Sequence, residues 1–140
     1  MAKRLRWKEY DYTIQVGPGN SWVYRPLITV EISAKAGEKV QLKAMIDSGT
    51  DSTILHAEIA RKLQIDLARS QRVRLGGIGT IDGYLATVQL IVPDTNVVMK
   101  IPVVFAENLP FDGLLGQRHF FQRFKIRFEK DINKFYLTPV

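Results

Sequence analysis

Short runs in which apolar and polar residues alternate dominate this chain. A period of two puts all the apolar side chains of a strand on one face, whereas the same spacing on a helix would scatter them around the cylinder. Tyr10, Tyr12, Ile14 and Val16 alternate with Asp11, Thr13 and Gln15, and Ile28, Val30 and Ile32 alternate with Thr29, Glu31 and Ser33. Val40, Leu42, Ala44 and Ile46 line one face of a further strand, and Phe124, Ile126 and Phe128 alternate with Lys125 and Arg127. Thr87 to Val92, Val97 to Phe105 and Phe135 to Thr138 also read as strands. Gly17-Pro18-Gly19-Asn20, Lys35 to Glu38 and Pro93-Asp94 punctuate the runs as turns. Pro102 lies inside one run, which predicts an edge position or a bulge. Helical spacing is confined to Ile59, Ala60 and Leu63, giving a short helix from about His56 to Leu63, with a second expected from Gln117 to Phe121. Many short strands at hairpin spacing predict an all-β chain whose sheet is closed or nearly closed.

With 140 residues the chain can bury one core, and neither a linker nor a low-complexity stretch divides it. Residues 1–140 are expected to form a single domain, with 1–9 as a basic N-terminal arm. There are no cysteines, which excludes disulfides and thiolate chemistry and is compatible with a reducing compartment. No apolar segment follows the basic start, and Lys100 interrupts the longest apolar candidate, Val97 to Ala106, well short of the roughly 18 residues that span a bilayer. A cytoplasmic chain without a membrane span is therefore expected. The formal net charge of +6 gathers at Lys3, Arg4, Arg6 and Lys8 and again at Arg118, Arg123, Lys125, Arg127 and Lys130. Such charge attracts nucleic acid without specificity. With no zinc-finger, RNP-like or glycine-clamp motif beside it, no specific nucleic-acid partner is expected.

The pair of strands from Ile28 to Ile46 reads as a hairpin that delivers Asp47 at its end, in Ala44-Met45-Ile46-Asp47-Ser48-Gly49-Thr50. Asp-Ser-Gly is common turn chemistry, the carboxylate bonding to its own backbone. It also suits acid–base catalysis. Two carboxylates about 3 Å apart cannot both ionise, so one accepts a proton from water while the other donates one to a carbonyl. The segment occurs once, so the second carboxylate would come from another copy in a symmetric dimer. Gly49 allows close backbone approach, and Ser48 and Thr50 are candidate donors beside the carboxylate.

Three glycines in four residues, Gly76-Gly77-Ile78-Gly79, read either as a hairpin tip or as a lid that must open and close over a polymer. No Gly-Lys-Ser/Thr follows, so the run is not a phosphate loop. His56 and His119 are isolated and lack metal-ligand spacing, and Asp112 lacks a following hydroxyl-glycine pair. Trp7 and Trp22, with Tyr10, Tyr12 and Tyr24, read as packing for the N-terminal segment. No metal and no cofactor is expected.

Three segments in order carry a family resemblance: Ala44 to Thr53, Leu75-Gly76-Gly77-Ile78-Gly79, and Gly113-Leu114-Leu115-Gly116. Asp47 precedes Gly77 by 30 residues and Gly116 by 69. Together they resemble the retropepsin-type aspartic proteases, over roughly Ile28 to Thr138. The resemblance implies a closed acid-protease barrel with a flap hairpin and one or two short helices, working as a two-fold homodimer on a peptide or protein substrate. It implies that Asp47 is the catalytic aspartate, one from each subunit. Ser48, Gly49 and Thr50 would support that loop, with the Ser48 hydroxyl helping to cross-link the two copies. Asp51, Gly76, Gly77, Ile78, Gly79, Leu114 and Leu115 would meet the substrate, with Val103 or Val104 as further pocket candidates, and Gly116, Gln117 and Arg118 would brace the loop. The implied mechanism is attack by water on the peptide carbonyl at acidic to mildly acidic pH, beside apolar substrate residues. The implied dimer interleaves N- and C-terminal strands. Viral members place arginine where Gln117 stands, so a neutral hydrogen bond to Asp51, or Arg118 by another route, is expected in its place. The competing readings are a noncatalytic peptide-binding or dimerisation module on the same fold, and a basic nucleic-acid-associated domain.

Overall fold

The alternation from Tyr10 to Val16 does not make one strand. In a computed structural model of the chain, which describes residues 6–35, 37–77 and 79–140, it breaks at Tyr12 into β1 (Lys8–Asp11) and β2 (Thr13–Val16). Tyr12 donates its backbone N–H to Asn133 (2.8 Å), and its ring meets Phe135 edge-on. The anchored tyrosine lets the chain leave one sheet and start another without interrupting the period of two. β2 pairs with β3 (Trp22–Arg25) in a hairpin of its own, closed by a 3-10 turn at Pro18–Asn20. Lys8 and Glu9, from the expected arm, lie in β1.

β4 (Leu27–Ser33) and β5 (Val40–Ile46) form the antiparallel hairpin the pattern predicts, with Val30 opposite Leu42 and Ile28 opposite Ala44. After β6 (Ile54–His56) the chain turns into α1 (Ala57–Lys62). The His56 ring starts this helix by accepting the Glu58 N–H at Nδ1 (3.1 Å), which satisfies one of the orphan donors of the first turn. His56→Ala is expected to cost about 1 kcal/mol, read as a drop of about 3 °C in thermal unfolding; His56→Asn, which can cap, should hold the wild-type midpoint.

β7 (Gln71–Gly77) and β8 (Gly79–Val92) make a long hairpin in which Leu75 faces Ile81 and Gly77 faces Gly79. β8 runs to Val92 without a break. Its first half pairs with β7, and its second half pairs with β9 (Val97–Ala106) on one side and with β4 on the other. The β4–β8 contact, Glu31 to Ile91 through Ser33 to Gln89, closes the sheet β4-β5-β10-β6-β9-β8 into a barrel, where β10 is Gly113–Leu115. β7 lies outside the ring on β8. Pro102 sits in β9 opposite Thr87 of β8, ahead of the stretch Val104–Ala106 that β6 borders, so its missing N–H falls on a locally open edge.

The second helix is α2 (Phe120–Arg123), three residues later than expected. The N–H groups of Gln117 and Arg118 meet the carbonyls of Thr50 (2.9 Å) and Asp51 (2.8 Å), and His119 then takes a positive φ of 69°, which no right-handed helical turn admits, so the helix starts after it. β11 (Phe124–Glu129) and β12 (Lys134–Pro139) follow, and β12 lies between β1 and β11. Both edges of the C-terminal strand are thus used by its own chain. The core fills the barrel with Val30, Ile32, Leu42, Leu55, Leu90 and Phe105 and continues through Phe120 and Phe124 to Phe135 and Leu137. Burying each such side chain contributes about 1.5–3 kcal/mol. A second apolar group, Ile54, Ala106, Leu109 and Leu114, with Met45, Leu75 and Phe111 packed against it, sits at the end of the barrel where β5 stops. Among the described residues no helix is long and apolar enough to cross a membrane.

Candidate active site

Asp47 is fixed by the strands on either side of β5. Ile46 donates its N–H to Pro26 (3.0 Å), and Asp47 donates its own to Leu115 (2.9 Å), extending the parallel pairing of Met45 with Leu114 and Ile46 with Leu115. The chain then turns sharply. Gly49 N–H donates to Asp47 Oδ1 (2.8 Å), and Thr50 N–H points back to the Asp47 carbonyl (3.4 Å). A Cβ on residue 49 would stand 3.1 Å from that same oxygen, so the close approach favours glycine. Thr50 Oγ1 donates to the Ser52 carbonyl (3.2 Å). The Asx-turn geometry and a catalytic carboxylate are not rivals here: one oxygen orients the side chain and the other is left without a protein donor among the described residues.

The loop is strapped from behind. After β10, Gly116 passes so close that a Cβ would lie 2.5 Å from the Ser52 carbonyl and 2.6 Å from that of Thr50. Gln117 and Arg118 then bind Thr50 and Asp51 through the backbone, and Gln117 Nε2 donates to the Ser48 carbonyl (2.8 Å). Asp47 lines a cavity of about 540 Å³. Its floor is Gly49, Thr50, Asp51, Ser52, Ile54 and Leu114, and its roof is the β7–β8 hairpin through Arg74, Leu75, Gly76 and Ile81. A larger hollow of about 870 Å³ lies between β2 and the outer face of β4 and β5, and its only carboxylate is that of Asp112. The smaller cavity is the one with a strapped carboxylate and a roof, and is therefore the candidate site.

A family model described as aspartyl protease matches residues 28–118, a span that holds the loop, the hairpin and the strap. The chain belongs to the aspartyl protease family. In fold, the chain is similar to a retropepsin-like aspartic protease from Rickettsia conorii, with a TM-score of 0.61 and 21% identity over 99% of this chain and 97% of that one. It is also similar to the EIAV protease complexed with the inhibitor HBY-793, with a TM-score of 0.51 and 21% identity over 66% of this chain and 81% of that one. No curated protein sequence matches the chain. The retropepsin-like barrel with a flap-like hairpin, expected from three short segments, is the architecture found.

Asp47, Gly49, Thr50, Asp51, Gly76 and Leu114 come together around one cavity. Ser48 is exposed beside them, its carbonyl held by Gln117. Leu115 has no exposed surface and packs in the barrel core. Val103 and Val104 are likewise buried, and neither lines the cavity. Gly77 and Gly79 close the hairpin by pairing with each other, while Ile78 lies outside the described residues. Among the described residues a Cβ at Gly76 would meet no heavy atom within 4 Å, and φ lies outside the left-handed region, so neither their packing nor the backbone angle demands glycine there. The neutral bond expected at Asp51 forms at Ser48 instead, and Arg118 reaches Asp51 through its backbone N–H alone. Asp112 is exposed and faces the larger hollow, and its carbonyl accepts the His56 N–H.

Sequence reasoning did not place Ser52, Ile54, Arg74 or Ile81 at the site. A hairpin centred on Ile78 puts Leu75 opposite Ile81 by counting alone, so that pair was within reach. Ile54 and Ser52 become neighbours of Asp47 only through β6 pairing with β10, a contact between segments about 60 residues apart. Arg74 forms an ion pair with Asp82 across the hairpin (3.0 Å) and puts a cation in the roof. Among the described residues no group of three His, Cys, Asp or Glu side chains is placed to hold a metal ion.

Proposed function

We propose that the chain is an aspartic endopeptidase in which residues 1–140 act as one domain and two copies each contribute Asp47 to a shared-proton pair. One carboxylate takes a proton from water as it attacks the scissile carbonyl, and the other, protonated, donates to the carbonyl oxygen. The two aspartates exchange roles as the leaving amine is protonated, and no covalent intermediate forms. The observation that carries this reading is a single carboxylate oriented by Gly49 N–H, strapped by Gly116 to Arg118, and roofed by a glycine-tipped hairpin.

An extended peptide fits such a site. Its backbone would bond to the hairpin above and the loop carbonyls below, while alternate side chains enter the apolar surface of Ile54, Leu75, Ile81 and Leu114. Among the described residues nothing fills the space beside Gly76, which supports a lid role, since a bound chain could occupy it. Preference for apolar residues on either side of the cleaved bond follows. Digestion of a peptide library by progressively diluted protein tests the shared pair. Activity per chain should fall in step with the mass-weighted fraction of dimer, because half of a pair is not a site. Constant activity per chain down to a fully monomeric solution would reject it.

A further inference from the structure

β11 is left open by the fold. In the sheet β1-β12-β11, the central strand has its neighbours supplied by its own chain, so β1 and β11 form the two edges. β1 reads Lys-Glu-Tyr-Asp, and Glu9 and Asp11 are already engaged with Lys134 (3.3 and 2.8 Å), a charged edge of the kind that resists further pairing. β11 differs. Val140 N–H donates to the Arg123 carbonyl (3.0 Å), and Phe124 stands opposite Pro139, which has no N–H. In an antiparallel ladder, hydrogen-bonded and open positions alternate. Lys125, Arg127 and Glu129 therefore turn their backbone groups to β12, and Phe124, Ile126 and Phe128 turn theirs outward. Among the described residues no strand pairs with that side of β11. Phe128 is 41% exposed and Ile126 half-buried on the same face.

We propose that this edge is the interface with a second copy of the chain, β11 pairing antiparallel with β11 across a two-fold axis to give one six-stranded sheet. The inference rests on the paired-Asp47 reading, which needs a second copy, and it names the surface that copy uses. The charges choose the register. Pairing Ile126 with the partner subunit's Ile126 would set Lys125 against the partner subunit's Arg127 twice. Pairing Phe124 with the partner subunit's Ile126 would set Lys125 against the partner subunit's Lys125 and Arg123 against the partner subunit's Arg127. Pairing Ile126 with the partner subunit's Phe128 sets Lys125 against the partner subunit's Glu129 twice and brings four apolar side chains together on the other face. The like pair it leaves, Arg127 with its mate, is already drawn aside by Glu129 (3.2 Å) and by the Tyr136 ring (4.1 Å). The edge is also joined to the site by a short path. The Gly116–Arg118 strap leads through α2 straight into β11, and Phe121 N–H donates back to the Gly116 carbonyl (3.4 Å). The sheet that the resemblance would fill with a partner's terminal strands is thus filled in cis, and the dimer moves to the next edge.

The test is sedimentation equilibrium of the full chain with Lys125→Glu, Glu129→Lys, the double reversal, and Ile126→Pro, each checked for the wild-type circular dichroism spectrum. Each single reversal turns two attractive pairs into repulsive ones and should raise the dimer Kd about tenfold, with the double reversal returning it toward the wild-type value. Ile126→Pro, which removes an outward N–H that β12 does not use, should leave monomers. Single reversals that leave the Kd unchanged, or a double reversal as weak as the singles combined, would overturn the interface. Cleavage by the wild type and by Asp47→Asn separates the two ideas. A dimer indifferent to all β11 variants, with cleavage that depends on Asp47, sinks the edge and keeps the pair. A dimer that follows the charge swap while Asp47→Asn still cleaves keeps the edge and sinks the pair.

Discussion

Asp47→Asn should lower peptide turnover by about 10²–10⁴-fold or more while leaving the fold and the dimer intact. Asparagine is the informative choice because its Oδ1 can still accept the Gly49 N–H that Asp47 Oδ1 accepts at 2.8 Å, so the turn survives and only the proton chemistry is lost. The backbone bond from Asp47 N–H to Leu115 is equally untouched. Thermal unfolding of the variant should fall within about 2 °C of the wild type, a change below about 0.5 kcal/mol, because no hydrogen bond of the loop is lost. The measurement is initial cleavage rate on a peptide that the wild type cuts, at equal dimer concentration. A purified Asp47→Asn protein that cuts at the wild-type rate would leave the peptide-binding module as the better reading of the same groove.

Gly116→Ala should destabilise the protein strongly. The added Cβ would meet two backbone carbonyls, at 2.5 and 2.6 Å, and backbone cannot swing aside as a side-chain tip can. Relief requires the strap to withdraw, which stretches the Gln117–Thr50 and Arg118–Asp51 bonds. Overpacking of this kind costs about 3 kcal/mol, or roughly a 10 °C loss in midpoint. Turnover should fall further than the folded fraction does, since the strap sets the loop that carries Asp47. Gly76→Ala is the matched control: with no heavy atom of the described residues within 4 Å of the new Cβ, its midpoint should stay near the wild-type value. Equal midpoints for the two variants would show that the strap yields more readily than its geometry implies.

Much of the barrel is legible in the sequence. β4, β5 and β11 follow the alternation almost residue by residue, because a strand with one face on the core needs period two and nothing else imposes it. The same rule misled at Tyr12. Alternation reports which face is buried, not which sheet buries it, and β1 and β2 serve different sheets with an unbroken pattern. The second helix was misplaced for a related reason. Gln117 and Arg118 have ordinary helical propensity, but His119 adopts a positive φ of 69° where the strap leaves the loop, and a helical turn begins only after it.

At the site, Asp47, Gly49 and the glycine-rich hairpin could be named from sequence because their chemistry is local: a carboxylate at a strand end, a close turn, a run of small residues. That Leu114 faces the cavity while Leu115 fills the core was decided by the pairing of β10 between β5 and β6, which fixes opposite faces for adjacent residues. That Gln117 holds Ser48 and not Asp51 was decided by where Gly116 lets the strap pass. The sequence by itself determined the number of carboxylate loops per chain, the strand-rich class and the order of the three segments. Only the tertiary structure decided which edges are closed in cis and which residues share a cavity, since both depend on contacts between segments far apart in the chain, and a period of two carries no record of its partners.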